Sequence, residues 1–158
     1  MRYWVCKGRP DNDWDNMLVP QRIGTWWTRW VPKTLTKQDR LFFWESSPAL
    51  RLVGFGDIVN PRADKDAEGR SLFKVRYLTR RLAYCPTITE LRKVRLLNNA
   101  PFLKAGPATV LSSLSFQQAQ ALFAVGRQGN RGLHLEKLWP DLVRRAEPAS
   151  LPDLGKPW

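Results

Sequence analysis

Short apolar runs separated by polar turns fill the first half of the chain, and helical spacing replaces them in the second. Tyr3-Trp4-Val5-Cys6 is a β-type run that Lys7-Gly8-Arg9-Pro10 closes in a loop. A polar stretch, Asp11 to Asn16, carries one indole, Trp14, before Met17-Leu18-Val19 resumes the apolar pattern up to Pro20. The segment Gly24 to Trp30 then packs three indoles into five residues and ends at Val31-Pro32. Thr36-Lys37-Gln38-Asp39 reads as a turn delivering the strand Leu41 to Trp44, and Ser46-Ser47-Pro48 connects it to a second strand, Leu52 to Val59, as a hairpin. Gly54 and Gly56 inside that strand mark a bulge, a bend or a close approach, as at the corner of a small barrel. Residues 60–70 have charge and no period, which predicts an exposed loop. From Leu72 to Leu82 a long strand is expected: Phe73, Val75 and Tyr77 alternate with Lys74, Arg76, Leu78 and Arg80, giving one core face and one basic face.

After Pro86 the period changes. Thr87-Ile88-Thr89-Glu90 fits a capping box, and Ile88, Leu91 and Val94 fall on one stripe of a short helix ended by Asn98-Asn99-Ala100-Pro101. Gly106-Pro107 leads to a last strand around Thr109-Val110-Leu111. Ser115 opens a second capping box, and Phe116, Ala119, Leu122 and Phe123 recur at helical spacing until Gly126, where a stop is expected. Both helices read as cover for a sheet. A weaker pattern, Leu135, Leu138, Trp139, Leu142 and Val143, is interrupted by Pro140, and the stretch from Glu147 to Trp158 holds three prolines without period. The organisation expected is a domain over residues 1–130 and, over 131–158, a C-terminal helix with a loose tail.

Composition narrows what such a chain does. Its 158 residues suffice for one domain, and 43% hydrophobic residues with eight Trp supply a core, which excludes wholesale disorder. No window reaches the roughly 18 consecutive apolar residues of a membrane helix, and the start lacks a signal-peptide core, so a cytoplasmic protein without a membrane partner is expected. Cys6 and Cys85 are too few for a disulfide framework or a cysteine-rich metal site. The net charge of +12 is uneven: residues 61–110 hold eleven bases and four acids, against nine and six in residues 1–60 and six and four in residues 111–158. Lys74, Arg76, Arg80 and Arg81, followed by Arg92, Lys93 and Arg95, therefore point to a polyanion. No amphipathic helix with lysine flanks is present to anchor an acidic membrane surface.

Catalytic groups are sparse. His134 is the single histidine, so any nucleophilic triad would depend on it, and its context reads as surface. Asp11, Asp13 and Asp15 have alternating spacing but lack the downstream Gly and Glu of a calcium loop, which leaves a solvated turn. Gly54-Phe55-Gly56 lies within a strand, away from any strand-to-helix turn that would cradle phosphate. No cofactor and no catalytic residue is expected. The aromatic inventory is the positive signal: Trp4, Trp14, Trp26, Trp27, Trp30 and Trp44 all precede residue 45. Indoles stack on bases at about 1–3 kcal/mol each while Lys and Arg hold phosphates. Trp4 and Trp14 suit a barrel interior. At their spacing Trp26, Trp27 and Trp30 cannot all point inward, so at least one lines a pocket or the surface.

The ordered set of Tyr3-Trp-Val with its Lys-Gly-Arg-Pro loop, Gly24-Thr-Trp-Trp27, Asp39-Arg-Leu-Phe-Phe-Trp44 and Val53-Gly-Phe-Gly-Asp-Ile58 resembles the EVE domain of the PUA-like superfamily, over residues 3 to about 126. Phe73 to Leu82 is similar to the corresponding strand of EVE domains and of the related YTH readers of methylated adenine in RNA. The resemblance implies an α+β fold with a strongly bent mixed sheet or partial barrel, flanking helices and no catalytic apparatus. It also implies an aromatic cage for a flipped, modified base, in a family whose bacterial members often accompany modification-dependent restriction systems. Carried onto this chain, it makes Trp26 one cage wall flanked by Thr25 and Trp27, with Trp44 as a supporting wall. Lys7, Gly8 and Asn12 fall in the loop that meets the base edge, and Arg80 and Arg81, with Lys74 and Arg76 on the same strand, hold phosphate. Trp27 departs from the small Ser or Cys often found there in relatives, so a narrower or differently oriented pocket is expected. The function expected is reading a modified base, foremost modified cytosine in DNA. A reader of methylated adenine in RNA, a small nuclease using His134 and a protein-interaction module using the exposed indoles are the alternatives.

Overall fold

The parallel pairing of β1 (Tyr3–Gly8) with β3 (Arg40–Glu45), Tyr3 opposite Arg40 and Cys6 opposite Phe43, forms the centre around which the chain is arranged. The structure, a computed structural model, describes residues 1–104 and 109–144. Between β1 and β3 come the single turn α1 (Trp14–Met17) and β2 (Ile23–Thr28); β4 (Arg51–Asn60) and β5 (Ser71–Tyr77) follow. Short helices α2 (Ile88–Arg92) and α3 (Pro101–Lys104) precede β6 (Leu111–Leu114), α4 (Phe116–Gly129) and α5 (Pro140–Arg144). The six strands form one mixed sheet in the order β2-β5-β4-β3-β1-β6, strongly curled into a half-barrel, with helices beside it. This is the α+β class and the bent sheet that the sequence led us to expect, consistent with a PUA-like fold.

Both faces of the central strands are buried, which is why they read as unbroken apolar runs. In β1, Tyr3 and Val5 point to the helix-covered face while Trp4 and Cys6 point to the concave one. The same alternation sends Phe42 and Trp44 of β3 to the helices and Leu41 and Phe43 to the concave side. Pairing of β3 with β4 slips between Phe43 and Trp44, so that Gly54 lies opposite Phe43 and Leu52 opposite Trp44. The bulge read from the glycines of β4 is therefore present. Gly56 meets the other expectation, close approach: a Cβ there would lie 2.4 Å from the Arg76 carbonyl oxygen and 2.6 Å from the Phe43 ring.

Capping boxes at Thr87 and Ser115 form as the sequence indicates, each hydroxyl accepting from the third backbone N–H and each Glu or Gln side chain accepting from the cap residue's own N–H. Other element ends differ. The strand predicted to Leu82 leaves the ladder after Tyr77, although the Leu78 and Leu82 amides still donate to Phe55 and Val53 of β4 at 2.9 Å. Helix α4 runs past Gly126, which packs against Phe55, and is capped by Asn130, whose Nδ2 donates to the Gly126 carbonyl at 2.9 Å and to the Tyr84 carbonyl at 2.8 Å. Pro140 does not interrupt a helix; it opens α5, where its missing N–H costs nothing.

Residues beyond 130 share the main core. Trp139 packs on Phe42, Phe55 and Phe123 with ring centroids 5.3–5.4 Å apart, and Leu135 and Leu142 are buried beside it. Arg40 ties α5 to the sheet, with Nη1 2.8 Å from the Asp141 carboxylate and its guanidinium over the Trp139 ring. The Gly106-Pro107 segment and the tail from Glu147 to Trp158 lie outside the described residues. On the concave side the turn before β3 is fastened by Asp39, whose carboxylate accepts from the Arg2 and Thr36 amides, the Trp4 indole N–H and the Thr36 hydroxyl at 2.8–2.9 Å.

Candidate functional site

The curl of the sheet leaves a seam between β2, one free edge, and the far end formed by the C-terminal end of β1 and the start of β6. A cleft of about 1290 Å³ occupies it, walled also by the Pro10–Met17 segment and the Ser46-Ser47 turn. Strand geometry decides what β2 shows to this space. Tyr77 donates its N–H to the Arg22 carbonyl, and the register then pairs Gly24, Trp26 and Thr28 with Val75, Phe73 and Ser71. By the alternation of an antiparallel ladder, the backbone groups of Thr25 and Trp27 point away from β5 toward the free edge.

Trp26 forms the aromatic floor. It is 9% exposed, lies stacked on Phe43 with centroids 5.5 Å apart and contacts Trp14 at 6.2 Å. Its indole N–H donates to the Tyr77 hydroxyl at 2.9 Å, which fixes the ring's rotation. Burial pushes the Tyr77 pKa up against the opposing effect of that hydrogen bond, so the phenol stays neutral. Gly8 lies directly against both indoles: a Cβ there would sit 2.4 Å from Trp14 and 2.8 Å from Trp26. Beside it, burial lowers the pKa of Lys7. Asn12 and the helical turn α1 complete this wall, with Asp13 capping the turn and the Asn16 carbonyl accepting from Arg22 Nη1 at 2.7 Å.

Six of the residues expected at a base pocket, Lys7, Gly8, Asn12, Thr25, Trp26 and Trp27, line this one cleft. Trp44 does not. It is 1% exposed, points to the opposite face of the sheet and packs edge-on against Phe102 at 5.2 Å, so it supports the main core and not a cage. The four bases expected at phosphate also lie elsewhere than on the cleft wall. Lys74 and Arg76 stand on the outer face of β5, Arg80 is exposed beyond the strand's end, and Arg81 is 3.7 Å from the Asp15 carboxylate. The cations that line the cleft are Lys7, Arg9, Arg22 and Arg29. Their signal in the sequence was position beside the tryptophan-rich segments, not density, and a search for basic runs passes over them.

Trp14 and Trp4 are interior, as expected, while Trp27 and Trp30 are 47% and 76% exposed. The Arg70 guanidinium lies 4.2 Å from the Trp27 ring centroid, and that of Arg29 lies 5.6 Å from Trp30's. The acidic triplet is engaged in structure: Asp11 pairs with Arg9 at 3.3 Å, Asp13 is the cap and Asp15 faces Arg81. His134 is exposed between two 3₁₀ turns, its Nδ1 3.5 Å from Glu136. Among the described residues no three His, Cys, Asp or Glu side chains are grouped as metal ligands.

No family model and no curated protein matches the chain. Solved structures do. A hypothetical protein from Leishmania major superposes with a TM-score of 0.68 at 15% identity, over 81% of this chain and 96% of that one. A protein from Rhodopseudomonas palustris, solved by NMR, gives 0.62 at 18% identity over 85% and 95%. An Agrobacterium tumefaciens protein gives 0.62 at 14% identity over 82% and 93%. Likeness at these identities is one of fold: the curled sheet and its helices recur across distant organisms. Among the described residues no helix is long and apolar enough to cross a membrane.

Proposed function

We propose that the chain is a non-enzymatic nucleic-acid-binding module of the EVE-domain kind, which holds an extruded modified base, foremost modified cytosine in DNA, in the seam cleft. The observation that carries this reading is the meeting of a rotationally fixed indole floor, Trp26, with four lining cations in one open cleft. Extruding a base costs a few kcal/mol. Stacking returns about 1–3 kcal/mol per base, and a ring already locked by Tyr77 and Phe43 loses little freedom when it receives one. Lys7, Asn12 and the free backbone groups of Thr25 and Trp27 then face the base edge, while Arg9, Arg22 and Arg29 stand where the strand's phosphates enter.

The test is a binding panel of DNA and RNA oligonucleotides, modified and plain, at several salt concentrations. Trp26→Ala is expected to abolish discrimination between modified and plain ligands; Trp26→Phe, which keeps the stack and loses the Tyr77 bond, retains part of it. Arg29→Ala is expected to weaken both ligands alike and to reduce the salt slope by about one. Equal loss of discrimination in the Trp26 and Arg29 variants would sink the division of labour. Preference for methylated adenine in RNA would transfer the same site to the RNA reading, and cleavage of either nucleic acid on prolonged incubation would overturn a non-enzymatic module.

A further inference from the structure

Trp27 is the cleft residue that the base pocket does not absorb. Its side chain leaves β2 on the opposite side from Trp26, whose indole is fixed to Tyr77 and Phe43, so the two rings do not face each other across a single base. It remains 47% exposed. It is also the better prepared of the two exposed indoles. Arg70 covers it at 4.2 Å, and Arg70 in turn is held by Asp66, with Nε to Oδ2 at 2.6 Å, and lies 3.6 Å from Glu68. The same Asp66 carboxylate accepts from the Glu68 and Arg70 amides at 3.0 and 2.9 Å, so the exposed loop read from the sequence is folded around this arginine. With its charge matched by the carboxylates, the guanidinium serves as a flat backing for the ring. On the same outer face the next positions are Thr25 and its cross-strand partner Lys74, an exposed cation without a place on the cleft wall. The cleft itself, about 1290 Å³, exceeds the roughly 300–1,000 Å³ of an ordinary small-ligand pocket, so it has room for more than one base.

We propose that Trp27, backed by Arg70, is an outer stacking platform for the nucleotide adjacent to the extruded base, with Lys74 on the phosphate beside it. The inference rests on the base-reading proposal and deepens it: the site takes a short single strand and not an isolated nucleoside. A base drawn into the cleft leaves its neighbour with an uncovered π-face, and an indole on the rim covers that face again. This gives the second indole of the Trp26-Trp27 pair a role that a narrower cage would not.

Two probes separate the subsites: a fluorescein-labelled single-stranded DNA nonamer with a central 5-methylcytosine, read by anisotropy, and 5-methyl-2′-deoxycytidine as competitor. Trp27→Ala is expected to weaken the nonamer about tenfold while leaving competition by the nucleoside within about twofold of wild type, and Trp27→Phe to recover most of the loss. Arg70→Ala, which removes the backing and keeps the ring, is expected to reproduce part of it. Circular dichroism of the variants is expected to match wild type, because Trp27 is an exposed position on an edge strand. Unchanged nonamer affinity in Trp27→Ala overturns the platform, as does an equal loss for the nucleoside, which would make Trp27 a cage wall. Failure of the base reading itself looks different: methylated and plain nonamers bind alike and the nucleoside does not compete, while the tenfold loss in Trp27→Ala persists and the platform stands.

Discussion

Asp39 shows how much one residue fixes when burial and hydrogen bonding oppose each other. Burial alone would raise its pKa, but the Thr36 amide, the Trp4 indole and the Arg2 amide together hold it below the ordinary value of 3.8. A carboxyl with a lowered folded-state pKa contributes stability above its unfolded value, and that contribution is lost as pH falls through the folded one. Asp39→Asn is therefore expected to cost about 1–3 kcal/mol near neutrality, by placing an amide N–H against buried donors, and the gap to wild type should narrow below about pH 4. Thermal melts from pH 2.5 to 7 check this; a gap that stays constant across the range refutes it. The Ser/Thr-Asp spacing that builds such a turn is readable in sequence. Which indole reaches the cleft is not: Trp44 sits in a strand buried on both faces and Trp26 in an edge strand beside a second indole, and alternation assigns a side without saying which side is open.

At the scale of elements, caps were legible and ends were not. Thr87 and Ser115 announce their helices because the capping box is a local interaction. Gly126 misleads because the same residue that ends helices also allows two elements to touch. In α4 a Cβ at this position would lie 3.0 Å from the Phe55 ring, which is itself enclosed by Phe42, Phe123 and Trp139. Were Gly126 a simple weak point in a helix, Ala would stabilise by about 1 kcal/mol. We expect no such gain from Gly126→Ala, and a loss of about 1–3 kcal/mol from Gly126→Leu through overpacking, measured by urea denaturation. A stabilised Leu variant would show that the helix is free to move off the sheet. The β5 boundary failed because a side chain intervenes there: the Phe55 N–H donates to the Thr79 hydroxyl at 3.1 Å and not to a carbonyl of a continued ladder, and nothing near Leu78 in the sequence records it.

For the whole molecule, helical cover of a sheet followed from the order of strand and helix patterns and the strong bend of that sheet from the resemblance to the EVE domain, whereas the contribution of residues 131–144 to the core did not follow. Trp139 lies immediately before Pro140, where the sequence pattern breaks, yet it touches three aromatic rings of the central core. Trp139→Ala is expected to cost about 3–5 kcal/mol, as for other large-to-small core changes. Equilibrium unfolding reads it directly, and a loss below about 1 kcal/mol would mean that residues 131–144 are an accessory to the fold and not part of its core. The distribution of charge was legible only in total. The sequence concentrates bases in residues 61–110, but the curl brings Lys7, Arg9, Arg22 and Arg29 together from the strand ends and loops of residues 7–29.

The seam has a further consequence. Its walls come from residues near 8, 26, 46 and 110, and the parallel pairing of β1 with β3 is completed only after the chain has travelled out to β2 and back. Contacts of such long sequence separation form late, since loop closure precedes their reward. No fragment and no half-folded chain then possesses the cleft. Any occupant of the cleft would draw by mass action on the native state alone, so its binding and completed folding would be one equilibrium, and a nascent or damaged copy of this chain would lack the site.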